Sequence, residues 1–412
     1  MAPIPPQATS PTLPLKQNPS THADADTGFD ADRHWMALAL ALARLALILS
    51  APNPPVGCVI VRDGQLLGAG HTQQVGGPHA EVVAMADVRQ RGHSLQGATA
   101  YVTLEPCAHH GRTPPCADAL IREGLARVVV ALHDPNPLVA GQGTARLRAA
   151  GIEVLELDAQ HPQAMEARAI KAGFLSRMTQ QRPWVRLKVA ASLDGRTALP
   201  DGRSQWITSA AAREDGQHWR ARASGVLTGI GTVLDDDPQM NVRALETPRQ
   251  PWRVVLDSQW RLPPTARMLS EGSAVHVYGL PAADATAHAR LDTLSALSGA
   301  PLHLHTTRSA HGRVDLQAVL RDLAAQGCNE LHVEAGARLN AAFIAADLVD
   351  EYLIYLAPKL IGPGRPLADL TELPDLAAAP TLAFHDVRLI GPDLRILASP
   401  PGRLDDRTRA KP

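Results

Sequence analysis

Three metal-ligating side chains lie far apart in this chain, in a pattern that forces their segments together. His79 opens His79-Ala80-Glu81, Cys107 closes Glu105-Pro106-Cys107, and Cys116 follows. A catalytic zinc takes three protein ligands and leaves one position open for water, and one imidazole with two thiolates meets that need. The cysteine count points the same way. Four cysteines in 412 residues, Cys58, Cys107, Cys116 and Cys328, are too few for a disulfide scaffold. Cys58 lies in an apolar run and reads as a buried small hydrophobe.

The segments around the triad alternate in type. VGCVIV and QLLGAGH flank an Asp63-Gly64 turn and read as a hairpin. HAEVVAMADVRQRG reads as a helix, TAYVTLEPC as a strand entering a loop, CADALIREG as a helix and ARVVVAL as a strand. DPNP is a turn, GTARLRAAG a helix and IEVLEL a strand. Alternation of this kind predicts an α/β domain of three layers. A helix over Ala167–Pro183 leads into a linker, and a second α/β unit restarts at WVRLKVAASLDG, with VLTGIG, RVVLDS, AVHVYG, LHLHTT and ELHVEAG as strands around a parallel central sheet. A helix is expected over Asp315–Gly327. The expected division is a disordered extension over 1–32, a first domain over 33–180, a second over 181–400 and a polar tail over 401–412. The apolar segment His34–Ala51 is interrupted by Arg44 and is short for a membrane span, so it reads as a core helix capped by Asp30 or Asp32.

Glu81 follows the His ligand by two residues, so both side chains fall on the first turn of a helix. A carboxylate beside an activated water can take its proton and pass it to a leaving amine. His-x-Glu with Pro-Cys is the signature of zinc deaminases. One spacing departs from it: eight residues, AHHGRTPP, separate the two cysteines where that signature has two. A structural zinc with His109 or His110 as fourth ligand is the alternative. The insert otherwise reads as a substrate loop carrying Arg112 and Thr113. Asn53 precedes the first strand, where its amide can read a ring edge, and His71 follows a strand, in place for a hydrogen bond.

PNPPVGCVIV, PHAE, AYVTLEPCAHHGRTPPC and DPNP together resemble the deaminase half of the bifunctional riboflavin-biosynthesis deaminase–reductases, over about Asp32 to Met178. The wide cysteine spacing is normal in that family. The resemblance implies a cytidine-deaminase-like fold, zinc on His79, Cys107 and Cys116, and Glu81 as proton shuttle. Ala51 and Pro55 depart from the family pattern, in the substrate loop and away from the zinc set.

The second half is less explicit. TGIGT (Thr228–Thr232) and VEAG (Val333–Gly336) each place glycine after a strand, where backbone amides can approach a phosphate, but no full dinucleotide fingerprint is present. KVAASLDGRTA, SQWITS, TGIGTVLDDDP, VVLDS, VEAG and YLAPKLIG resemble the reductase half of the same family, from about Pro183 to Ala398. The resemblance implies a dihydrofolate-reductase-like fold that uses NADPH. It places the cofactor near Ala190, Trp206, Thr232, Asp236, Gly336, Ala337, Arg338, Leu339 and Asn340. It places the substrate near Ser204, Arg220, Met240, Arg243, Ser258 and Glu334. Arginines suit a phosphate because guanidinium pairs bidentately with its oxygens. Asp235 stands where the family often has Ala and adds charge near the cofactor.

The implied reactions are hydrolytic deamination of a diaminopyrimidinone ribosylamino phosphate, then NADPH-dependent reduction of its ribosyl group to ribityl. A net charge of −1 argues against broad binding to nucleic acid or an anionic membrane, and 3% aromatic residues leave few stacking platforms. The expected partner is the small phosphorylated pyrimidine, the expected assembly a homodimer, and the expected compartment the cytoplasm. Two other readings stay open: a zinc deaminase of nucleosides or tRNA, and a second half that is a non-catalytic dimerisation module.

Overall fold

Alternate residues of one strand divide the first domain's core in two. In the computed structural model, which describes residues 27–108, 114–136, 140–243, 245–310 and 312–408, Cys58 and Ile60 face one apolar cluster while Val59 and Val61 face another. Side chains on a strand point to opposite faces with period two, so a strand of unbroken apolar residues needs helices on both sides. The strands are β1 (Gly57–Arg62), β2 (Gln65–His71), β3 (Thr99–Val102), β4 (Arg127–Val130) and β5 (Glu153–Glu156), in sheet order β2-β1-β3-β4-β5. β1 runs antiparallel to β2 and β3, and β3, β4 and β5 run parallel.

The helices are α1 (Thr27–Leu45), α2 (Ala80–Gln90), α3 (Cys116–Arg122), α4 (Gln142–Ala149), α5 (Pro162–Ile170) and α6 (Ala172–Gln180). α1 and α5 cover one face through Met36, Leu40, Ala43 and Ile170; α2, α3, α4 and α6 cover the other through Met85, Leu120, Leu147 and Phe174. Two segments differ from expectation. α1 begins at Thr27, inside the stretch expected to be disordered, and ends at Leu45. Asp32 does not cap it: its carboxylate takes two hydrogen bonds from Arg127, at 2.7 and 2.8 Å, and one from the Tyr101 hydroxyl, which pins the helix to the sheet. The single helix expected over Ala167–Pro183 is two. The break falls at Lys171, whose buried side chain turns inward to donate to Thr103 Oγ1 at 3.0 Å.

The second domain is built on β6 (Trp184–Ser192), β7 (Gly225–Gly229), β8 (Trp252–Leu256), β9 (Val275–Gly279), β10 (Leu302–Thr306), β11 (Glu330–Val333), β12 (Glu351–Ala357), β13 (Ala383–Ile390) and β14 (Asp393–Ser399). Their order is β10-β9-β8-β7-β11-β6-β12-β14-β13. The expected parallel sheet is therefore mixed: β10 through β12 are parallel, but β14 is antiparallel to β12 and β13 to β14. The last two strands are joined by Gly391 with φ +59°, a tight hairpin that leaves no room for a crossover helix. Its helices are α7 (Ala210–Arg222), α8 (Ile230–Asp236), α9 (Ala285–Leu297), α10 (Leu316–Ala325), α11 (Ala337–Ala345) and α12 (Arg403–Thr408). α12 falls in the segment expected as a polar tail. Arg403 pairs with Asp347, and Arg168 of α5 donates to Asp405 at 2.7 Å.

Among the described residues, no helix is long and apolar enough to cross a membrane. The apolar segment after His34 is spent on the core, with Met36, Ala39 and Leu40 buried.

Candidate functional sites

Two of the cavities among the described residues gather the candidate side chains. The smaller, about 350 Å³, lies in the first domain and is lined by Asn53, His79, Glu81, Cys107, Asp134 and Asn136 among others. His79 is the residue immediately before α2, with extended backbone angles, and Glu81 sits in the first turn. Cys107 comes from the loop after β3, and Cys116 opens α3. Their ligand atoms converge: His79 Nδ1 is 3.4 Å from Cys116 Sγ and 3.7 Å from Cys107 Sγ. Zn–S and Zn–N lengths put N and S about 3.5 Å apart around a tetrahedral ion, so the donor set fits zinc in both chemistry and spacing. All three atoms lie within 4.8 Å of one another, the one such cluster of His, Cys, Asp or Glu among the described residues.

The loop carrying Cys107 is fixed by its neighbour. Buried Glu105 accepts four backbone N–H bonds, from Asp134, Gly141, Gly143 and Thr144, at 2.9–3.2 Å. At Gly143 a Cβ would stand 1.9 Å from the Pro106 carbonyl oxygen, so only glycine lets α4 approach this loop. Asp134, held by Glu105, accepts from Asn136 N–H at 2.9 Å, and both residues line the pocket.

The electrostatics suit proton transfer. Burial, helped by the nearby Cys107, pushes the Glu81 carboxyl up to about 7, against the opposing pull of His79. A carboxyl poised there can take and return a proton at neutral pH. Of the two cysteines Cys107 is the more acidic, because the Cys116 thiol donates to it and His79 stands beside it. Burial also lifts Asp134, to about 6.

Of the other sequence candidates here, Asn53 lines the pocket. His71 stays outside it and hydrogen-bonds locally, to the Thr72 carbonyl oxygen and Gln73. Cys58 is fully buried in the apolar cluster. His109, His110, Arg112 and Thr113 lie outside the described residues.

The larger cavity, about 1670 Å³, lies at the carboxyl ends of β6, β7, β8 and β11, where open α/β sheets place ligands. Every residue that the resemblance assigns to cofactor or substrate in this half lines it. Arg220 spends its fork on Glu334, at 2.6 and 2.9 Å, and donates to the Asn241 carbonyl at 3.0 Å. Glu334 is largely but not wholly buried, with 17% of its side chain exposed. Against that burial, Arg220 and then Lys188 hold its carboxyl well below the usual range. Arg243 is exposed at the same wall, donates to Asn241 Oδ1, and has Arg261 and Arg267 as fellow lining residues. Asp235 pairs across the cavity with Arg365 at 3.2 Å. Gly336 precedes α11, whose N-terminus faces the cavity. Buried Asn340 donates to the Leu367 carbonyl, while its Oδ1 has no partner among the described residues. An orphaned acceptor beside a helix N-terminus in so large a cavity fits a nucleotide cofactor.

Several lining residues escaped the sequence reading. Lys188 lines the cavity 3.9 Å from Glu334, and burial lowers its ammonium from the usual range. The signal was a lone lysine in an apolar strand, WVRLKVAAS. Asp134 and Asn136 had been read only as turn residues.

The first domain matches the cytidine and deoxycytidylate deaminase zinc-binding region over residues 30–132, and the second matches the RibD C-terminal domain over 183–396. The riboflavin biosynthesis protein RibD of Escherichia coli K12 is 44% identical over 377 residues, 88% of this chain and 98% of that one. That of Haemophilus influenzae is 43% identical over 89% and 97%. Among solved structures, Acinetobacter baumannii RibD aligns with a TM-score of 0.79 at 42% identity, covering 90% of this chain and 99% of that one. A Thermotoga maritima diaminohydroxyphosphoribosylaminopyrimidine deaminase/5-amino-6-(5-phosphoribosylamino)uracil reductase aligns with the same score and coverage at 32% identity.

Proposed function

The chain belongs to the RibD family of riboflavin-biosynthesis enzymes, a hydrolytic deaminase joined to a reductase, and from that premise we propose that its two cavities divide the two reactions between them. The carrying observation is the convergence of His79, Cys107 and Cys116 beside Glu81 in a pocket separate from the larger cavity. The proposed substrate is 2,5-diamino-6-(5-phosphoribosylamino)pyrimidin-4-one.

His79, Cys107 and Cys116 would hold the zinc, which when bound activates water for attack on ring carbon 2. Glu81 takes the proton that water gives up and delivers it to a ring nitrogen. It then carries the next proton to the departing amino group, which leaves as ammonia. Asn53, which lines the same pocket, reads the ring edge. The apolar walls, Leu104, Phe174 and Met178, suit a flat ring and keep bulk water out.

In the larger cavity NADPH would supply a hydride to carbon 1 of the opened ribosylamino group. Ala190, Trp206, Thr232, Asp236 and the stretch Gly336, Ala337, Arg338, Leu339 and Asn340 are proposed to hold the cofactor. Ser204, Met240, Ser258 and Glu334 are proposed to orient the substrate. Arg220 keeps Glu334 ionised, so that its oxygens accept from sugar hydroxyls. Arg243, with a freer guanidinium, is the better placed of the two arginines to take the phosphate.

The domain limits expected from sequence, 33–180 and 181–400, are proposed to extend to 27–180 and 181–408, so that they hold α1 and α12. An edge strand supports a homodimer: β13 exposes Phe384, Val387 and Leu389 at 68%, 51% and 72%, apolar surface at an unpaired sheet edge. Free thiols at the metal site suit the cytoplasm.

A coupled assay tests the reading, following ammonia release and NADPH absorbance together for wild type and Glu81→Gln. Wild type is expected to release ammonia and then consume NADPH, and the variant to do neither from the diamino substrate. Ammonia without NADPH consumption would remove the reductase assignment. No ammonia from zinc-replete wild type would remove the deaminase one.

A further inference from the structure

The deaminase pocket is not walled by its own domain alone. Ala325, Gln326 and Gly327, at the end of α10 in the reductase domain, also line it. Gly327 has φ +102°, and a Cβ there would come within 3.2 Å of the Pro52 ring, so the two domains meet closely at this rim.

Two side chains converge on one acceptor at that junction. The Pro52 carbonyl receives Arg177 Nη2 at 3.0 Å and Asn329 Nδ2 at 3.1 Å. Arg177 Nε also donates to Asn329 Oδ1 at 2.6 Å, which closes a three-membered ring of hydrogen bonds. Asn329 is buried, and its backbone is tied separately: its carbonyl accepts from Trp184 N, and its N–H donates to Ser224 Oγ. The amide side chain is therefore spent wholly on the clasp. Pro52 immediately precedes Asn53, and the next residue, Pro54, also lines the pocket.

We propose that Asn329, a residue of the reductase domain, is a positioning residue for deamination: with Arg177 it fixes the Pro52 carbonyl and thereby sets Asn53 against the substrate. The proposal rests on the reading of Asn53 as a substrate contact. It gives the second domain a part in the first domain's reaction without any group touching the reacting atoms. The reductase cavity should not feel the change. Asn329 precedes β11 and Glu334 follows it, so the two lie roughly 16 Å apart at ~3.3 Å per residue.

The full-length enzyme is tested as Asn329→Ala, Asn329→Asp and Asn53→Ala. Deamination is followed by ammonia release, and reduction by NADPH consumption on the already deaminated compound. Aspartate keeps the acceptor for Arg177 but cannot donate to Pro52, so it separates positioning from simple domain adhesion. Both Asn329 variants are expected to lose roughly five- to tenfold in deaminase kcat/KM, the scale of one net hydrogen bond, chiefly through a raised KM. Reduction is expected to stay within about twofold, by the usual independence of distant sites. Deamination at the wild-type level in Asn329→Asp, or an equal fall of both activities, overturns the proposal. If Asn53→Ala alone lowers deamination, the Asn53 reading survives and the positioning role fails. If Asn53→Ala deaminates normally, the Asn53 reading fails and takes the proposal with it.

Discussion

The two catalytic regions solve the same problem, holding charged groups still, by opposite means. The deaminase pocket draws its metal donors from three segments between His79 and Cys116, and offers two thiols and an imidazole to an ion. The reductase cavity draws on residues from Lys188 to Asp369 and its domain holds charges by ion pairs: Arg220 on Glu334 in the cavity wall, and Arg186 and Arg222 on buried Glu330 at the other end of β11. A metal supplies a large fixed charge with few ligands. An ion-pair lattice needs several partners, because each buried charge must be compensated in place. The first kind of site stands or falls with its ligands, and the second with its network.

The sharpest way to break this contrast is at the ligands. Cys107→Ser and Glu81→Gln are each expected to cut deamination by roughly 10²–10⁴-fold and to leave reduction of the deaminated compound intact. Ammonia and NADPH assays run side by side would show it. A parallel loss of both activities would mean that the two sites are not independent. Chelation asks the same question reversibly: EDTA should silence deamination, added zinc should restore it, and NADPH consumption should continue throughout.

The network is expected to fail differently. Glu330→Gln leaves Arg186 and Arg222 without their shared carboxylate, and should destabilise the second domain by about 3–5 kcal/mol, the usual cost of breaking a buried pair. Denaturant melts at pH 7 would measure it. The pH dependence has a definite sign. Against burial, Arg222 and Arg186 hold the Glu330 carboxyl down to about 2. Its contribution is therefore full above the ordinary glutamate range and is lost as pH falls from there through about 2. Wild-type stability should decline across that window, and the Glu330→Gln variant should decline less.

The smallest effect sharpens the comparison from the other side. Lys171 in the first domain is buried on Thr103 with no carboxylate bonded to it among the described residues, and burial pushes its ammonium down to about 7. A base depressed in the folded state costs stability below that value, and the cost fades as pH rises toward its ordinary 10.5. Lys171→Met is expected to gain on the order of 1 kcal/mol at pH 7 and nothing at pH 10.5, read from thermal melts at the two values.

The legibility of the two sites follows the same division. His79, Glu81, Cys107 and Cys116 were readable because metal geometry and helix phase tie them to fixed spacings. Most elements around them were readable from period-two and helical patterns. Arg220 and Glu334 were readable only through resemblance, since nothing in local sequence links residues 114 apart. Lys188 was missed because a lysine in a strand looks the same whether it faces solvent or a cavity. The start of α1 was misplaced because Asp32 reads as a cap until Arg127 and Tyr101 are seen to hold it.

By itself the sequence pointed to the fold class through side-chain periodicity, and to His79, Cys107, Cys116 and Glu81 as candidate site residues through their spacing. Only the tertiary structure decided which charges meet. It turned the expected parallel sheet mixed, gave Arg220 to Glu334, left Arg243 freer, and brought Asn329 of one domain onto Pro52 of the other. The physical reason is range: ligand spacing and side-chain periodicity are local properties of a chain, whereas partners for buried charges and amides are chosen across packed surfaces that exist only once the chain has folded.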